Sequence, residues 1–318
     1  MDVLFAADDS YARHLGVTML SLLRSQPADM RLDFHLLHQG MSAGNLAKLA
    51  SLGAGRAFRL HDYRVDPAEF SGFSRAMSFS RQMSYITLET FFRLKAHRIL
   101  PDLARVLYLD TDIICRADLS PLWSLDLDGK LVAAVANQDV EAPEILRRQG
   151  LLGDGEPYFN AGVLLLNLAE MRTEGIDARL AELAERHGRF MQFADQDLLN
   201  VACRGRIAWA PLRFNVQSGY FYKTSLANDL ERFWPGVRRE FEAALADPAI
   251  LHFTGREKPW HITSRHPMRE SYREIERASP WRDEPLLVDH LRYRPHPARA
   301  FLDKVRSWFG PMTPGGGG

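Results

Sequence analysis

Two carboxylates separated by a single residue, Asp110 and Asp112, directly follow the apolar run 106–109. Side chains two positions apart on an extended segment point in the same direction, so each carboxylate can give one oxygen to the same divalent cation. Two other Asp-x-Asp triplets occur, at 126–128 and 195–197, but only Asp110 and Asp112 directly follow a predicted buried strand. This context favours a metal site, and a pair of capping or turn aspartates is the alternative.

The segment 252–261, with the sequence HFTGREKPWH, contains three residue types that suit a metal ion and a phosphate. His252 follows three apolar residues and can be a metal ligand at a strand end. Gly255 permits a close backbone approach to a phosphate, and Lys258 can place a compact positive charge on it. An isolated histidine is more often structural, but its combination with the aspartate pair favours a ligand role for His252.

Other polar positions are candidates for ligand binding. In the sequence FNAGV, Asn160 and Ala161 offer a polar hook beside small residues, and a simple strand entry is the alternative. Asp195 can cap the N-terminus of a helix, and Asp195 and Gln196 can also contact sugar hydroxyls. Arg93 can reach a phosphate or a carboxylate, or can lie on a solvated helix face.

Apolar runs and helical periodicities alternate along the chain as they do in α/β proteins. Short apolar runs predict strands at 3–7, 32–37, 57–60, 105–109, 131–136 and 159–168. Apolar residues at helical spacing predict helices at 11–23, 42–52 and 87–100. This pattern indicates an α/β fold with a single Rossmann-like, mostly parallel sheet that is covered by helices on both faces.

The predicted sheet brings separate carboxylates to one edge. Asp8 and Asp9 follow the first predicted strand, and Asp110 and Asp112 follow the fourth. Open α/β sheets bind ligands outside the carboxyl ends of their strands. We therefore expect a metal ion or a nucleotide at this edge.

The composition of the 318-residue chain is that of a soluble globular protein, with 46% apolar and 25% charged residues. Lys+Arg and Asp+Glu both number 40, so the net charge is zero and a global basic field for nucleic acid is absent. Two cysteines are too few for a disulfide scaffold or a structural zinc site. With neither a signal peptide nor an apolar run of about 20 residues, the expected location is the cytoplasm.

Five motifs occur in the same order as in glycosyltransferase family 8, and the chain resembles that family over residues 1–261. They are DDSY at 8–11, YLDTD at 108–112, FNAG at 159–162, DQD at 195–197 and HFTGxxKPW at 252–260. The resemblance is closest to the bacterial galactosyltransferases of lipooligosaccharide and lipopolysaccharide synthesis, and glycogenin is a more distant relative. Five ordered motifs make the resemblance far more specific than any one of them.

The resemblance implies a GT-A type fold and a retaining transfer of a hexose from a UDP-sugar to a saccharide or lipid-linked saccharide acceptor. Galactose is the first candidate for the hexose and glucose the second. The resemblance implies that Mn²⁺, with Mg²⁺ as an alternative, is held by Asp110, Asp112 and His252. Ser10 is a departure, because relatives often carry asparagine there.

The resemblance also assigns binding and catalytic roles. Asp195 and Gln196 are implied to be the catalytic residues. Contacts to the nucleotide, the phosphates and the sugar are assigned to Ala6, Asp8, Ser10, Tyr11, Arg93, Asp110, Asn160, Ala161, Asp195, Gln196, Gly255 and Lys258.

The chemistry of the residues agrees with this assignment. A cation and Lys258 would stabilise the negative charge that develops on the leaving phosphate. Mixed carboxylate and imidazole ligands suit Mn²⁺ better than Mg²⁺. Gln196 is an amide and a poor nucleophile, which favours same-face attack with the departing phosphate assisting deprotonation of the acceptor. A carboxylate nucleophile and two displacements are the alternative.

Two other classes of function remain as alternatives. A non-catalytic sugar-nucleotide-binding protein would be expected to have a damaged metal triad, whereas the triad here is intact. A glycosidase with paired carboxylates would not need Lys258 or the glycine of the phosphate loop.

A change in composition after residue 282 predicts a domain boundary. We expect a GT-A catalytic domain at 1–282, a basic and aromatic C-terminal tail at 283–314 and a flexible glycine tail at 315–318. In the stretch 297–309, apolar residues recur at helical spacing: Phe301, Leu302, Val305, Trp308 and Phe309. An amphipathic helix of this kind can attach the protein to the inner face of the cell membrane, and packing of the helix on the catalytic domain is the alternative.

Overall fold

The computed structural model describes residues 1–53, 55–76, 87–139 and 143–287. The strands in these residues are β1 (Asp2–Ala6), β2 (Leu32–His38), β3 (Phe58–Arg64), β4 (Val106–Leu109), β5 (Ile113–Cys115), β6 (Val132–Ala136), β7 (Phe159–Leu166), β8 (Ile207–Trp209), β9 (Val216–Gln217) and β10 (Ile250–His252). The α-helices are α1 (Ala12–Ser25), α2 (Ala43–Ala50), α3 (Ser71–Ala76), α4 (Ala96–Ile99), α5 (Ser120–Trp123), α6 (Glu144–Arg148), α7 (Leu168–Thr173), α8 (Ile176–His187), α9 (Asp195–Ala202), α10 (Gly219–Tyr222), α11 (Leu226–Glu231), α12 (Val237–Ala246) and α13 (Arg269–Arg277). Short 3₁₀ helices occur at Asp9–Tyr11, Ser51–Gly53, Pro67–Phe70, Leu88–Lys95, Gly188–Phe190 and Leu212–Asn215.

Seven strands form the main sheet in the order β3-β2-β1-β4-β7-β6-β8. Four of its neighbouring pairs are parallel, and β7 is antiparallel to both β4 and β6. The sheet is therefore mostly parallel. All six predicted strands occur, with ends shifted by a few residues.

Both faces of the main sheet are covered, as the near-continuous apolar strands predict. Alternate residues of β1 point to opposite faces. Phe5 packs in a core with Leu15 of α1, whereas Leu4 packs in a second core with Leu198 of α9. The α/β architecture, with a mostly parallel sheet and helices on both faces, is confirmed.

A second, three-stranded sheet with the order β5-β10-β9 was not predicted. β10 pairs antiparallel with β5, where His252 lies opposite Ile113, and parallel with β9, where His252 lies opposite Gln217. Asp110 and Asp112 stand in the connection between β4 and β5. The small sheet therefore holds His252 beside the aspartate pair.

The predicted helix at 87–100 is mostly a 3₁₀ helix, Leu88–Lys95, followed by the short α4. Its first turns contain Thr90, Phe91 and Phe92, which are weaker α-helix formers than the straight-chain residues. The helix predicted at 42–52 begins with a capped α2, because the Ser42 hydroxyl accepts a hydrogen bond from the N–H of Asn45.

The end of the described chain contacts the first helix. Arg13 is buried, forms an ion pair with Glu276 at 2.7 Å and donates to the carbonyl of Pro285 at 2.8 Å. The domain boundary after residue 282 stays a prediction, and the predicted helix within 297–309 lies outside the described residues. Within the described part of the chain, every helix is too short or too polar to cross a membrane.

Candidate active site

A cavity of about 630 Å³ opens at the carboxyl ends of β1 and β4. The sequence-predicted residues in its wall are Ala6, Asp8, Tyr11, Arg93, Asp110, Asp112, Asn160, Ala161, Asp195, Gln196, His252, Gly255 and Lys258. Ser10 is outside the wall, and its exposed hydroxyl donates to Asp8 Oδ1 at 2.6 Å. The fold thus gathers residues that are far apart in the sequence around one space.

The aspartate pair and His252 form a compact cluster of ligand atoms. His252 Nε2 lies 3.2 Å from Asp112 Oδ1 and 3.7 Å from Asp110 Oδ2. One ligand atom from each residue lies within 4.8 Å of the other two. Two carboxylates and one imidazole are a donor set that fits Mn²⁺, and the spacing lets all three reach one ion.

The close approach of β7 leaves no space for a side chain at Gly162. A Cβ atom there would lie 2.2 Å from His252 Cε1 and 2.8 Å from Asp110 Oδ2. The backbone N–H of Asp110 donates to the Gly162 carbonyl at 2.9 Å. Glycine at this position therefore allows the strand to form the floor of the cluster.

Lys258 adds a positive charge to the cluster. Its ammonium lies 2.5 Å from Asp112 Oδ2 and donates to the Phe253 carbonyl at 2.6 Å. Burial opposes ionisation of the Asp112 carboxyl, but Lys258 and His252 hold the pKa of that carboxyl well below its usual range. Gly255, in the same loop, has φ +78°, a left-handed conformation that favours glycine.

Arg93 is buried in the cavity wall and links two carboxylates. Its Nη2 lies 3.1 Å from Asp110 Oδ1, and its Nε lies 3.0 Å from Asp195 Oδ2. Nε donates to the Thr90 carbonyl at 3.1 Å, so its contact with Asp195 is ionic. That buried Oδ2 accepts no hydrogen bond from the residues that the structure describes. The guanidinium also lies 4.1 Å from the centre of the Tyr108 ring. The interpretation of Arg93 as a residue of a solvated helix face is therefore wrong.

Burial and neighbouring charges affect the carboxyl of Asp195. Burial raises its pKa to about 7; the Arg93 charge opposes this shift, and Asp110 reinforces it. Asp195 is the first residue of α9, whose capping position belongs to Ala194, so the N-cap prediction for Asp195 is wrong. Ala194 has φ +47°, an uncommon conformation for a residue with a side chain.

Gln196 faces the cavity with its amide group fixed. Its Oε1 accepts from the backbone N–H of Ala161 at 2.9 Å and from Asn160 Nδ2 at 3.1 Å. Its Nε2 donates to the Tyr158 hydroxyl at 3.0 Å, which in turn donates to Asp197 at 2.5 Å. The Asn160 side chain lies in the cavity wall beside Gln196, and its role in ligand binding stays a prediction.

Aromatic side chains border the other end of the cavity. Tyr11 is 38% exposed and meets Trp260 edge to face at 6.3 Å. Trp260 stacks at 3.7 Å on His14, whose Nδ1 lies 2.6 Å from the Tyr272 hydroxyl. This layer supports the segment that carries Lys258.

Sequence reasoning missed several residues that shape the site. Asn215 contacts His252 Nδ1 at 2.9 Å, and Tyr158 contacts Gln196. Tyr158 directly precedes the FNAG motif, and Trp260 lies within HFTGxxKPW, so proximity to a motif could have indicated both. Asn215 adjoins no motif and carries no such signal.

The fold and the site are those of a GT-A glycosyltransferase. The solved structure described as the galactosyltransferase LgtC with donor and acceptor sugar analogues is similar with a TM-score of 0.75 and 33% identity, over 89% of this chain and 99% of that one. The chain belongs to glycosyl transferase family 8, whose model matches residues 2–264.

Curated relatives agree with this family. General stress protein A of Bacillus subtilis is 27% identical over 278 residues, which is 86% of this chain and 91% of the relative. The lipopolysaccharide 1,2-glucosyltransferase of Escherichia coli K12 is 27% identical over 288 residues, 89% of this chain and 80% of the relative. The chain is therefore a glycosyltransferase, as the five motifs indicated.

Proposed function

We propose that the protein is a retaining, Mn²⁺-dependent transferase that moves a hexose from a UDP-sugar to a saccharide or lipid-linked saccharide acceptor. The observation that carries the proposal is the convergence of Asp110, Asp112 and His252 beside Lys258 in one cavity. Mg²⁺ is the alternative ion.

Galactose is the first candidate for the hexose and glucose the second. One similar solved structure is named a galactosyltransferase, and one similar curated protein is named a lipopolysaccharide glucosyltransferase. These names support a hexose donor and a saccharide acceptor of bacterial surface glycans.

The proposed binding mode places the diphosphate between the Asp110, Asp112 and His252 side chains and the loop that carries Lys258. A divalent cation bound by Asp110, Asp112 and His252 would offset the negative charge that develops on the leaving diphosphate. Lys258 supplies a second positive charge, and the glycine loop lets backbone N–H groups approach the phosphate oxygens. Ala6, Asp8 and Tyr11 border the space for the nucleoside, whereas Ser10 acts through the Asp8 carboxylate.

The sugar lies, in this proposal, between Arg93, Asn160, Asp195 and Gln196. Within the described part of the chain, the buried Oδ2 of Asp195 accepts no hydrogen bond, and it is suited to accept one from a sugar hydroxyl. Arg93 holds Asp195 in place and keeps a positive charge beside the donor. Ala161 contributes its backbone, because its carbonyl accepts from Arg93 Nη1 at 2.6 Å.

Retention follows in this proposal from attack on the same face of the sugar that the diphosphate leaves. Gln196 presents a fixed amide dipole to the reacting carbon, and an amide is a poor nucleophile. The leaving phosphate oxygen accepts the proton of the attacking acceptor hydroxyl. The bond from the sugar to the diphosphate breaks while the bond to the acceptor oxygen forms.

The location proposed for the protein is the cytoplasm, with peripheral attachment to the inner face of the cell membrane through residues 283–314. A lipid-linked acceptor would make this attachment useful. The basic and aromatic composition of 297–309 supports it.

A donor screen tests the proposal. The protein is incubated with Mn²⁺, a panel of saccharide acceptors and either UDP-galactose or UDP-glucose, and product masses are measured. We expect an acceptor that has gained one hexose. Release of hexose with no acceptor product would indicate a hydrolase, and unchanged UDP-sugars that nevertheless bind would indicate a binding protein; either result would contradict the proposal.

A further inference from the structure

A continuous line of side-chain hydrogen bonds runs from His252 to Gln196 behind the cavity wall. Asn215 Oδ1 lies 2.9 Å from His252 Nδ1, and Asn215 Nδ2 donates to Asn160 Oδ1 at 2.9 Å. Asn160 Nδ2 then donates to Gln196 Oε1 at 3.1 Å. Asn215 is fully buried and His252 is 4% exposed, so water does not compete for these bonds.

Two backbone N–H groups of β7 set the direction of this line. A backbone N–H can only donate, so the side-chain atom that it meets must be an oxygen. The N–H of Gly162 lies 3.0 Å from Asn160 Oδ1, and the N–H of Ala161 lies 2.9 Å from Gln196 Oε1. Both amide groups are therefore held in one orientation by the main chain.

The orientation of Asn160 dictates those of Asn215 and His252. Asn215 must present its NH₂ group to the Asn160 oxygen, so its own oxygen faces His252 Nδ1. A ring nitrogen that faces an oxygen carries the proton. In the neutral ring the lone pair is then on Nε2, which faces Asp112 at 3.2 Å and Asp110 at 3.7 Å.

We propose that Asn215 is a positioning residue that fixes the tautomer and ring orientation of His252 for metal binding. This inference rests on the proposed function, which takes His252 as a ligand of Mn²⁺. Asn215 acts through His252. The backbone N–H groups of Ala161 and Gly162 orient Gln196 and Asn160, and Asn160 in turn orients the Asn215 amide.

A purely structural role for Asn215 makes a different prediction. A buried amide that only satisfies its neighbours would affect the free energy of unfolding and leave the metal affinity unchanged. A partner of a metal-binding histidine affects the affinity itself, typically by roughly 10- to 100-fold. Metal affinity therefore separates the two roles.

The first measurement is the affinity for Mn²⁺ alone, determined from the electron paramagnetic resonance signal of the unbound ion. Asn215→Leu should weaken binding by roughly 10- to 100-fold. Asn215→Asp keeps an acceptor for the Nδ1 proton but loses the NH₂ group that meets the Asn160 oxygen, so its affinity should lie between those of the wild type and Asn215→Leu. Gln26→Met is the matched control, since Gln26 is also buried but bonds to Ala117 and Leu119, away from the cavity. It should leave Mn²⁺ binding unchanged.

The second measurement needs no variant. Nitrogen-15 NMR of the wild-type protein loaded with diamagnetic Zn²⁺ should show His252 protonated at Nδ1 and metal-bound at Nε2. A proton on Nε2, or equal Mn²⁺ affinity of the wild type and a folded Asn215→Leu, would overturn the role of Asn215 and leave the proposed function standing. A wild type that binds neither ion would overturn both.

Discussion

Asp112 is the residue on which the charges of the candidate active site converge. Lys258 Nζ lies 2.5 Å from one of its oxygens, and His252 Nε2 lies 3.2 Å from the other. Arg93 is engaged by Asp110 and Asp195. Because burial strengthens such interactions, the proposed diphosphate would need the positive charges of Lys258 and of the proposed cation to offset its own charge.

Replacement of Lys258 by alanine tests whether its positive charge binds the diphosphate. The affinity for UDP should fall by about 10- to 100-fold, because hydrogen bonds to charged groups contribute about 1.5–3 kcal/mol. The affinity for uridine, which has no phosphates, should stay near that of the wild type. Titration calorimetry with both ligands measures this, and Lys130→Ala, outside the cavity wall, is the control. Equal losses for UDP and uridine would assign Lys258 to the support of the fold.

Gly162→Ala tests the geometry of the proposed metal site without removing any of its three ligand side chains. The added methyl group would lie 2.2 Å from His252 and 2.8 Å from Asp110, so the cluster must shift. We expect a large loss of Mn²⁺ affinity with little change in circular dichroism. Gly44→Ala on α2, where the methyl group meets open space, should bind Mn²⁺ like the wild type. Undiminished Mn²⁺ binding by Gly162→Ala would contradict the observed position of His252.

The residues that we propose for chemistry could be placed in one cavity from the sequence, whereas the residue that we propose to orient them could not. Carboxylates after an apolar run and a lysine near a glycine carry a chemical meaning that spacing reveals. Asn215 has no such signal, because an asparagine at the end of a short 3₁₀ helix is typical of an ordinary turn. Its partners become visible once the small sheet brings His252 beside it.

At the scale of elements, the length of a strand decided whether the sequence could predict it. The eight residues of β7 form a clear apolar run. β5 has three residues and β9 has two, which is too short for a pattern to emerge, and the apolar residues before His252 indicated β10 but not its partners. The pairing of β10 with β5 nevertheless sets the register that places His252 beside Asp110 and Asp112.

The layer between α1 and α13 makes stability depend on pH through His14. This residue is 3% exposed, and burial, with contributions from Arg13 and Lys258, lowers its pKa to about 3. A folded-state pKa below the unfolded value of about 6.5 means that the unfolded state binds the proton first as the pH falls. Stability is therefore full above pH 6.5 and decreases towards pH 3.

His14→Phe should remove this dependence, because phenylalanine keeps the stack on Trp260 and does not titrate. Between pH 7.5 and pH 5 the wild type should lose about 2 kcal/mol more of its free energy of unfolding than the variant, at 1.36 kcal/mol per pH unit. Urea unfolding at both pH values measures this. The half-buried His187, replaced by asparagine, is the control. The same pH dependence in His14→Phe and the wild type would contradict the buried, neutral state of His14.

At the scale of the whole molecule, the arrangement of strands at one edge of the main sheet explains why motifs that are distant in the sequence lie together. β1, β4 and β7 are neighbours in the main sheet, and the connection from β4 leads directly into the small sheet. Open α/β sheets bind ligands at the carboxyl ends of their strands, and this rule allowed the position of the cavity to be predicted from the sequence. The strand order and the second sheet depend on long-range pairing, which a single sequence does not reveal.

Attachment to membranes is a property of the whole chain. The full-length protein should sediment with anionic vesicles at low salt, while a chain that ends at Val288 should stay in the supernatant. Basic residues near an anionic surface contribute about 1 kcal/mol each, so salt should weaken the binding. Neutral vesicles are the control for the charge contribution. If both forms stay in the supernatant, the segment 297–309 is not an anchor.

The rate of hexose transfer as a function of Mn²⁺ concentration tests the central claim most directly. After chelation, the wild type should transfer no hexose from its UDP-sugar, and added Mn²⁺ should restore the reaction. Asp112→Asn keeps the size of the side chain but removes a ligand charge, and its rate at saturating Mn²⁺ should be lower by roughly 10²–10³, as for the loss of one electrostatic contact in an active site. Full activity of chelated Asp112→Asn would contradict a metal-dependent transferase built on Asp110, Asp112 and His252.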